Sequence, residues 1–286
     1  MFRIHPPFPS PLKMPEVSGI MQLDDGGRVT DFVEKPQTDE ALAQVRTSAS
    51  WIDQRGIQSK GREYLASMGI YLFNRDLLVS LLESTDLQDF GKDIFPMAIR
   101  QHHVQTHLFD GYWEDIGTIR AFFDANLALA DTSPPFTFSD HKAPIFTRAR
   151  FLPSSRFDNC TIRHSLIAEG CTIGPGSTIE NSVIGVRTQI GSNVTICNSV
   201  IMGADYFPDD TRVAKGETIG IGDGALIDGV LVDKNVHVGP RSRIVASEAG
   251  DGDGDYDYVA VRDGIVVVKK GARIPERWSF DDRSVV

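Results

Sequence analysis

The sequence predicts two folds in one chain: an α/β region over roughly the first 130 residues and, beyond a connector, an all-β left-handed parallel β-helix. Three observations predict it. Ile162, Ile167, Ile173, Ile179, Ile184, Ile190, Ile196 and Ile201 stand five or six residues apart, a spacing that neither an α-helix nor an ordinary strand produces. The tetrads His164-Ser165-Leu166-Ile167, Asn181-Ser182-Val183-Ile184 and Asn198-Ser199-Val200-Ile201 recur every seventeen residues. Upstream of this repeat, strand-like and helix-like patterns alternate instead.

A hexapeptide that supplies one inward branched aliphatic forms a short strand and a turn, and three of them close a triangular coil. Each coil buries its aliphatics only against its neighbours, so stacking is what makes the array stable. Gly170, Gly174, Pro175, Gly176, Gly185, Gly191, Ser192 and Asn193 fall between the aliphatics, where corners are needed. An antiparallel sandwich would explain the turns but not the period. The period breaks after Met202 and resumes at Ile221, Ile227, Val232, Val238 and Ile244, so residues 204–218 form an insertion projecting from the solenoid.

The chain of 286 residues is long enough for two domains. A net charge of -10 argues against a nucleic-acid or membrane-surface role for the chain as a whole and leaves room only for a local anion pocket. Cys160, Cys171 and Cys197 form no C-x-x-C pair, which fits reduced, buried thiols and disfavours a zinc site or a disulfide framework. No apolar run reaches membrane-spanning length and residues 1–15 lack a secretory h-region, so the expected location is cytoplasmic.

Along the chain, Met1 to Pro15 is rich in proline and reads as an irregular lead-in. Gly19 to Leu23 and Val29 to Val33, joined by Asp24-Asp25-Gly26-Gly27-Arg28, predict a hairpin. Weak helical character around Asp39 to Val45 precedes a mostly buried strand, Tyr64 to Phe73. Asn74 caps a short amphipathic helix, Arg75 to Glu83, with Leu77, Leu78, Leu81 and Leu82 on one face. A helical segment from Phe90 to about Arg100, a strand from Val104 to Phe109, and a helix capped by Thr118 complete the first domain, 1–130. A connector, 131–157, leads to the β-helix, 158–286. Asp251-Gly252-Asp253-Gly254-Asp255 resembles the start of a calcium loop, but Tyr256 and Arg262 stand where that loop needs glycine and glutamate, so it reads as a solvated acidic turn.

The order of several short segments then carries a resemblance. Phe32-Val33-Glu34-Lys35-Pro36, Ser67-Met68-Gly69-Ile70-Tyr71, Phe90-Gly91-Lys92-Asp93, Gly111-Tyr112-Trp113-Glu114-Asp115-Ile116-Gly117-Thr118, the β-helix, Met202-Gly203-Ala204-Asp205-Tyr206 and Asp233-Lys234-Asn235 follow one another as in the glucose-1-phosphate adenylyltransferases. The chain resembles the plant and cyanobacterial type over residues 17–275. That family's glycine-rich phosphate loop, roughly G-x-G-x-R-L, and one of its metal-binding aspartates do not occur in these residues. The expectation is therefore the latter part of a Rossmann-like nucleotidyltransferase domain, lacking its N-terminal nucleotide-binding half and inactive by itself, joined to a regulatory and assembly β-helix.

The resemblance also assigns roles. ATP and glucose 1-phosphate would react in line at the α-phosphorus with loss of pyrophosphate, a reaction that needs positioning and charge neutralisation. Lys35 would meet the sugar phosphate; Glu34 and the Ser67-Met68-Gly69 segment would hold the sugar. Asp115 would ligate one side of a magnesium ion, with Trp113 orienting that loop against the substrate. Arg150, Lys234 and Lys270 match positions of a basic pocket that takes a small phosphorylated activator. Homo- or hetero-oligomers through the β-helix are implied, with neither nucleic acid nor membrane as partner. Two alternatives stand beside this: a non-catalytic regulatory or scaffold subunit, and a hexapeptide-repeat acyltransferase, in which His164 or His237 would be the candidate base while the N-terminal motifs would have no role.

Overall fold

The computed structural model describes residues 2–5, 19–33, 36, 38–83, 89–209, 218–250 and 252–282. The chain divides into two compact units, Met1–Asp115 and Ile116–Val286.

The first unit is built on a five-stranded sheet of order β3-β2-β4-β1-β5. Its strands are β1 (Phe2–His5), β2 (Ile20–Leu23), β3 (Val29–Val33), β4 (Tyr64–Ser67) and β5 (Leu108–Phe109). Every pairing is antiparallel except β1 with β5. The predicted hairpin is present: Asp24 Oδ1 accepts the Arg28 amide at 2.9 Å, and Gly27 takes the positive φ of 84° that closes the turn. The Gln105 side chain donates to the carbonyls of Gly26 and Gly27, so the turn is also held from across the unit.

Two expectations change here. The proline-rich lead-in contains a strand: β1 lies between β4 and β5, with Phe2 opposite both Ser67 and Leu108. Backbone groups of two neighbouring strands need partners whatever the side chains are, and that demand has no periodic signature. The strand from Tyr64 stops at Ser67 and not at Phe73, because Gly69 turns the chain with φ 67°.

Helices α1 (Asp39–Gln44) and α2 (Ala49–Asp53) start at Thr38 and Ser48, whose hydroxyls accept the amides of Ala41 and Trp51. The amphipathic helix α3 (Arg75–Glu83) buries Leu81 and leaves Leu82 exposed. The next helical segment opens with a π-turn, Phe90–Ile94, before α4 (Phe95–Gln101); Asp89 caps it by accepting the amides of Gly91 and Lys92, both at 2.8 Å.

The second unit contains the solenoid, and its strands fall on three faces. Phe157, Ile173, Ile190, Ile221, Val238 and Ile274 stack on the first. Ile162, Ile179, Ile196, Ile227 and Ile244 stack on the second, and Ile167, Ile184, Ile201, Val232 and Val268 on the third. All these pairings are parallel. The column they form is dry: Ile173, Ile179, Ile196, Val238, Ile244 and Val268 are fully buried.

The repeated tetrad has a mechanical explanation. Its first residue turns the corner between the second and third faces in the left-handed region, with φ 44° at His164, 45° at Asn181 and 47° at Asn198. Stacked corners then bond side chain to side chain, Asn181 Nδ2 to Asn198 Oδ1 at 2.8 Å and Asn198 Nδ2 to Asp228 Oδ1 at 2.9 Å. The second residue is a serine, buried at Ser182 and Ser199, that satisfies a corner amide of the next coil: Ser165 Oγ accepts from Ser182 N, Ser182 Oγ from Ser199 N, and Ser199 Oγ from Val230 N.

The third tetrad residue is apolar because the third face is buried on its outside too. Helix α5 (Ile119–Ala128) packs Phe123, with Ile119, Phe122 and Leu127, against Val183, Val200, Leu231, Ile265 and Val267. Thr118 caps this helix as expected, and the Ile119 amide donates to Asp263 Oδ2 at 2.9 Å while Arg120 donates to the carbonyls of Asp263 and Gly264. The sequence reading places this helix at the end of the first domain; by packing it belongs with the solenoid, and the connector after it, beginning at residue 131, carries no helix or strand until Arg156.

A second insertion follows Val245 and returns as an antiparallel pair, Gly254–Asp255 with Val259–Arg262, itself paired to Ile265–Val268. The acidic run in it is not simply solvated: Asp255 pairs with Arg262 and Lys269, and Asp253 accepts from the amide of Asp263. The described cysteines are free thiols, but only Cys171 is fully buried, with burial raising its pKa; Cys160 and Cys197 are half-exposed.

Ser182→Ala removes the acceptor for the Ser199 amide and the donor to the Glu180 carbonyl at a fully buried position. A loss of about 1–3 kcal/mol, or roughly 2–4 °C in melting temperature per kcal/mol, is expected in thermal unfolding. A second outcome concerns pH. Burial, reinforced by the Arg273 charge, lowers the pKa of His237 below 6.5, and its Nδ1 sits 2.8 Å from Thr218 Oγ1. The unfolded chain therefore binds the proton first, so stability is full above pH 6.5 and declines as pH falls below it. Urea midpoints measured between about pH 7 and 5 should show that slope, flattened in His237→Gln.

Candidate functional site

Ser67 ends β4 with its side chain fully buried. Its backbone amide donates to the Gly19 carbonyl at 2.9 Å, which locks the end of the strand to the start of β2. Its hydroxyl lies 3.2 Å from the Tyr71 hydroxyl and accepts the Gly69 amide at 3.2 Å. A sharp turn thus surrounds one aimed hydroxyl, with Met68 buried beside it. A Cβ at Gly69 would meet nothing within 4 Å, so the backbone conformation, not space, is what calls for glycine there.

Tyr71 is the residue that the sequence reading quoted but gave no role. Its ring stacks on Phe95 at 4.8 Å, and Phe95 meets Phe32 edge-on at 5.3 Å. These rings belong to one apolar cluster with Met21, Val29 and Ile99. Phe32 stands two residues before Glu34, so the same cluster anchors the strand that leads to Glu34-Lys35 and the turn that holds Ser67. Glu34 and Lys35 themselves lie outside the described residues.

Trp113 and Asp115 are half-buried beyond β5. The strand is tied down by Asp110, which pairs with Arg62, and Arg62 in turn donates to the carbonyls of Gln58 and Ser59. Gly111 is needed on steric grounds, since a Cβ would run into the Phe109 ring. Among the described residues no three of His, Cys, Asp and Glu converge to hold a metal. Asp115 can supply one carboxylate, which is the usual protein share of a magnesium site whose other ligands are phosphates and water.

A polar cleft of about 300 Å³ lies elsewhere in the first unit, lined by Asp25, Arg46, Ser48, Ser50, Trp51 and Gln54 among others. None of the predicted site residues lines it.

In the second unit, Lys234 and Lys270 come to one corner of the solenoid. Lys234 Nζ is 3.1 Å from Asp205 Oδ1, the Asn235 side-chain amide donates to Asp205 Oδ2 at 3.0 Å, and the Asp205 backbone amide donates back to Asn235 Oδ1 at 2.8 Å. Asp205 is thereby held below its ordinary pKa, by the Asn235 bond first, then by the ammonium groups of Lys234 and Lys270. Arg150, in the exposed connector, donates to the Arg148 carbonyl.

Residues 8–132 match the nucleotidyl transferase family, and residues 150–278 match the GLGC left-handed parallel β-helix domain. The chain is a nucleotidyl transferase domain followed by a GLGC-type β-helix. The transferase match runs through α5, the helix that packs on the β-helix here. Among the described residues no helix is long and apolar enough to cross a membrane.

Gly69→Ala should cost about 1–2 kcal/mol through the left-handed backbone alone, without a cavity or clash, and should be visible as a lower midpoint in equilibrium unfolding of the full chain.

Proposed function

We propose that these residues form the sugar-phosphate-binding and β-helical part of a glucose-1-phosphate adenylyltransferase, an enzyme that joins ATP and glucose 1-phosphate into ADP-glucose with release of pyrophosphate. The observation that carries this is the pairing of a nucleotidyl transferase domain with a GLGC-type β-helix in one chain. The fixed turn at Ser67 supports it, since a buried hydroxyl that holds the Gly69 amide and meets the Tyr71 hydroxyl keeps the Met68-Gly69 backbone in one position, as a segment that orients a sugar must be.

In this reading the Ser67-Met68-Gly69 turn and Glu34 hold the sugar and Lys35 neutralises its phosphate. Asp115 would hold magnesium, which when bound supplies charge neutralisation at the phosphates, and Trp113 fixes the loop that carries it. The β-helix serves regulation and assembly, with Lys234, Lys270 and Arg150 offered to a small phosphorylated activator. An acyltransferase reading leaves residues 8–132 without a role, and His237 is engaged by Thr218.

Titration calorimetry with glucose 1-phosphate tests the reading. Binding by residues 1–286 is expected, and Ser67→Ala should weaken it roughly tenfold, because the Gly69 amide loses the acceptor that fixes the turn. Because the glycine-rich phosphate loop does not occur in these residues, ATP and magnesium added with the sugar phosphate are expected to yield no pyrophosphate from residues 1–286 alone. Equal affinity in wild type and Ser67→Ala, with the fold intact by thermal melting, would overturn the assignment of this turn to the sugar.

A further inference from the structure

The corner that gathers Lys234 and Lys270 also contains its own anion. Asp205 stands at the start of the insertion after Met202, and its carboxylate is gripped on one oxygen by Lys234 and on the other by the Asn235 amide. The Lys234–Asp205 pair is open to water, with 37% of each side chain exposed. An ion pair so exposed contributes little to stability, about 0–1 kcal/mol, and exchanges readily for a better anion.

Lys270 is exposed and lies beside Lys234 on the next coil: Val232 pairs with Val268, the Gly271 amide donates to the Lys234 carbonyl at 2.9 Å, and the Lys270 charge helps hold the Asp205 carboxylate ionised. Lys234, Lys270 and Arg273 stand at this corner against the carboxylates of Asp205 and Asp233, which leaves one positive charge in surplus. A phosphate monoester brings about −1.5 to −2 charges and three acceptor oxygens, so it satisfies both lysines where the carboxylate satisfies one. The other nearby groups are already committed. Asp233 accepts the Lys234 backbone amide at 2.6 Å, and Arg273 donates to the Asn235 carbonyl at 2.9 Å.

We propose that Asp205 is an internal competitor for the phosphate group of the ligand that Lys234 and Lys270 bind. In the state described, the carboxylate occupies Lys234; arrival of a phosphate displaces it from that ammonium group. The inference rests on the reading of this corner as an anion site, and the experiment separates the two.

Inorganic phosphate is titrated into the full chain and followed by ³¹P NMR, with Lys234→Gln, Lys270→Gln and Asp205→Asn alongside wild type. Both lysine variants should lose most of the binding, whereas Asp205→Asn should bind phosphate more tightly by up to about fivefold, the size of one exposed charge pair removed from the competition. If the lysine variants bind as wild type does, the anion site itself is wrong. If they lose binding but Asp205→Asn is unchanged or weaker, the site stands and the competition does not. Should Asp205→Asn fold poorly, Asn235→Ala, which loosens the same carboxylate without touching either lysine, must tighten phosphate binding for the proposal to survive.

Discussion

One constraint governs the second unit: each coil must bury its inward aliphatics on the coil before and the coil after. A fully buried isoleucine stabilises by about 1.5–3 kcal/mol relative to exposure, and a single coil has nothing of its own on which to bury it. The regular parallel register from Phe157 to Ile274 on the first face follows from that need. So do the tight corners, which must fit between columns that cannot shift. Residues with positive φ and short polar side chains stand there, and their hydrogen bonds run along the stack, from Asn181 to Asn198 to Asp228 and from Ser165 to Ser182 to Ser199.

The same geometry gives the outer surface of the third face its purpose. Strands buried on both sides read as continuous apolar runs, and Leu166-Ile167, Val183-Ile184 and Val200-Ile201 do so. That signal was in the repeated tetrad, yet nothing in it says which element supplies the cover. Helix α5 does, and its N-terminal turn is pinned to the Asp263-Gly264 turn of the second insertion. A helix that continues the transferase match in sequence is in packing terms part of the solenoid unit, because its apolar stripe has its partner there.

The transferase domain was legible in a different way. Its hairpin, its capped helices and the Ser67 to Tyr71 segment could be read locally, from turn residues, caps and periodicity. The architecture of the Ser67 turn could not, since it depends on Tyr71 hydroxyl geometry set by Phe95 and Phe32, residues far apart in sequence. Strand β1 is hard to read for a related reason: Phe-Arg-Ile-His alternates apolar and polar, but over only four residues beside a run of prolines, and its place between β4 and β5 is set by backbone groups seeking partners. The strand from Tyr64 was overextended because the apolar run continues past the point where Gly69 turns it.

By itself the amino-acid sequence determined the period, the inward columns, the corner positions, the insertion after Met202 and the order of the transferase motifs, because each is a property of neighbouring residues or of a fixed repeat. Tertiary structure alone decided that α5 covers the solenoid, that β1 completes the sheet, and that Asp205 closes on Lys234. These are contacts through space between segments whose local preferences are silent about one another. Burial, backbone satisfaction and charge pairing select such contacts only once the chain has brought the partners within reach.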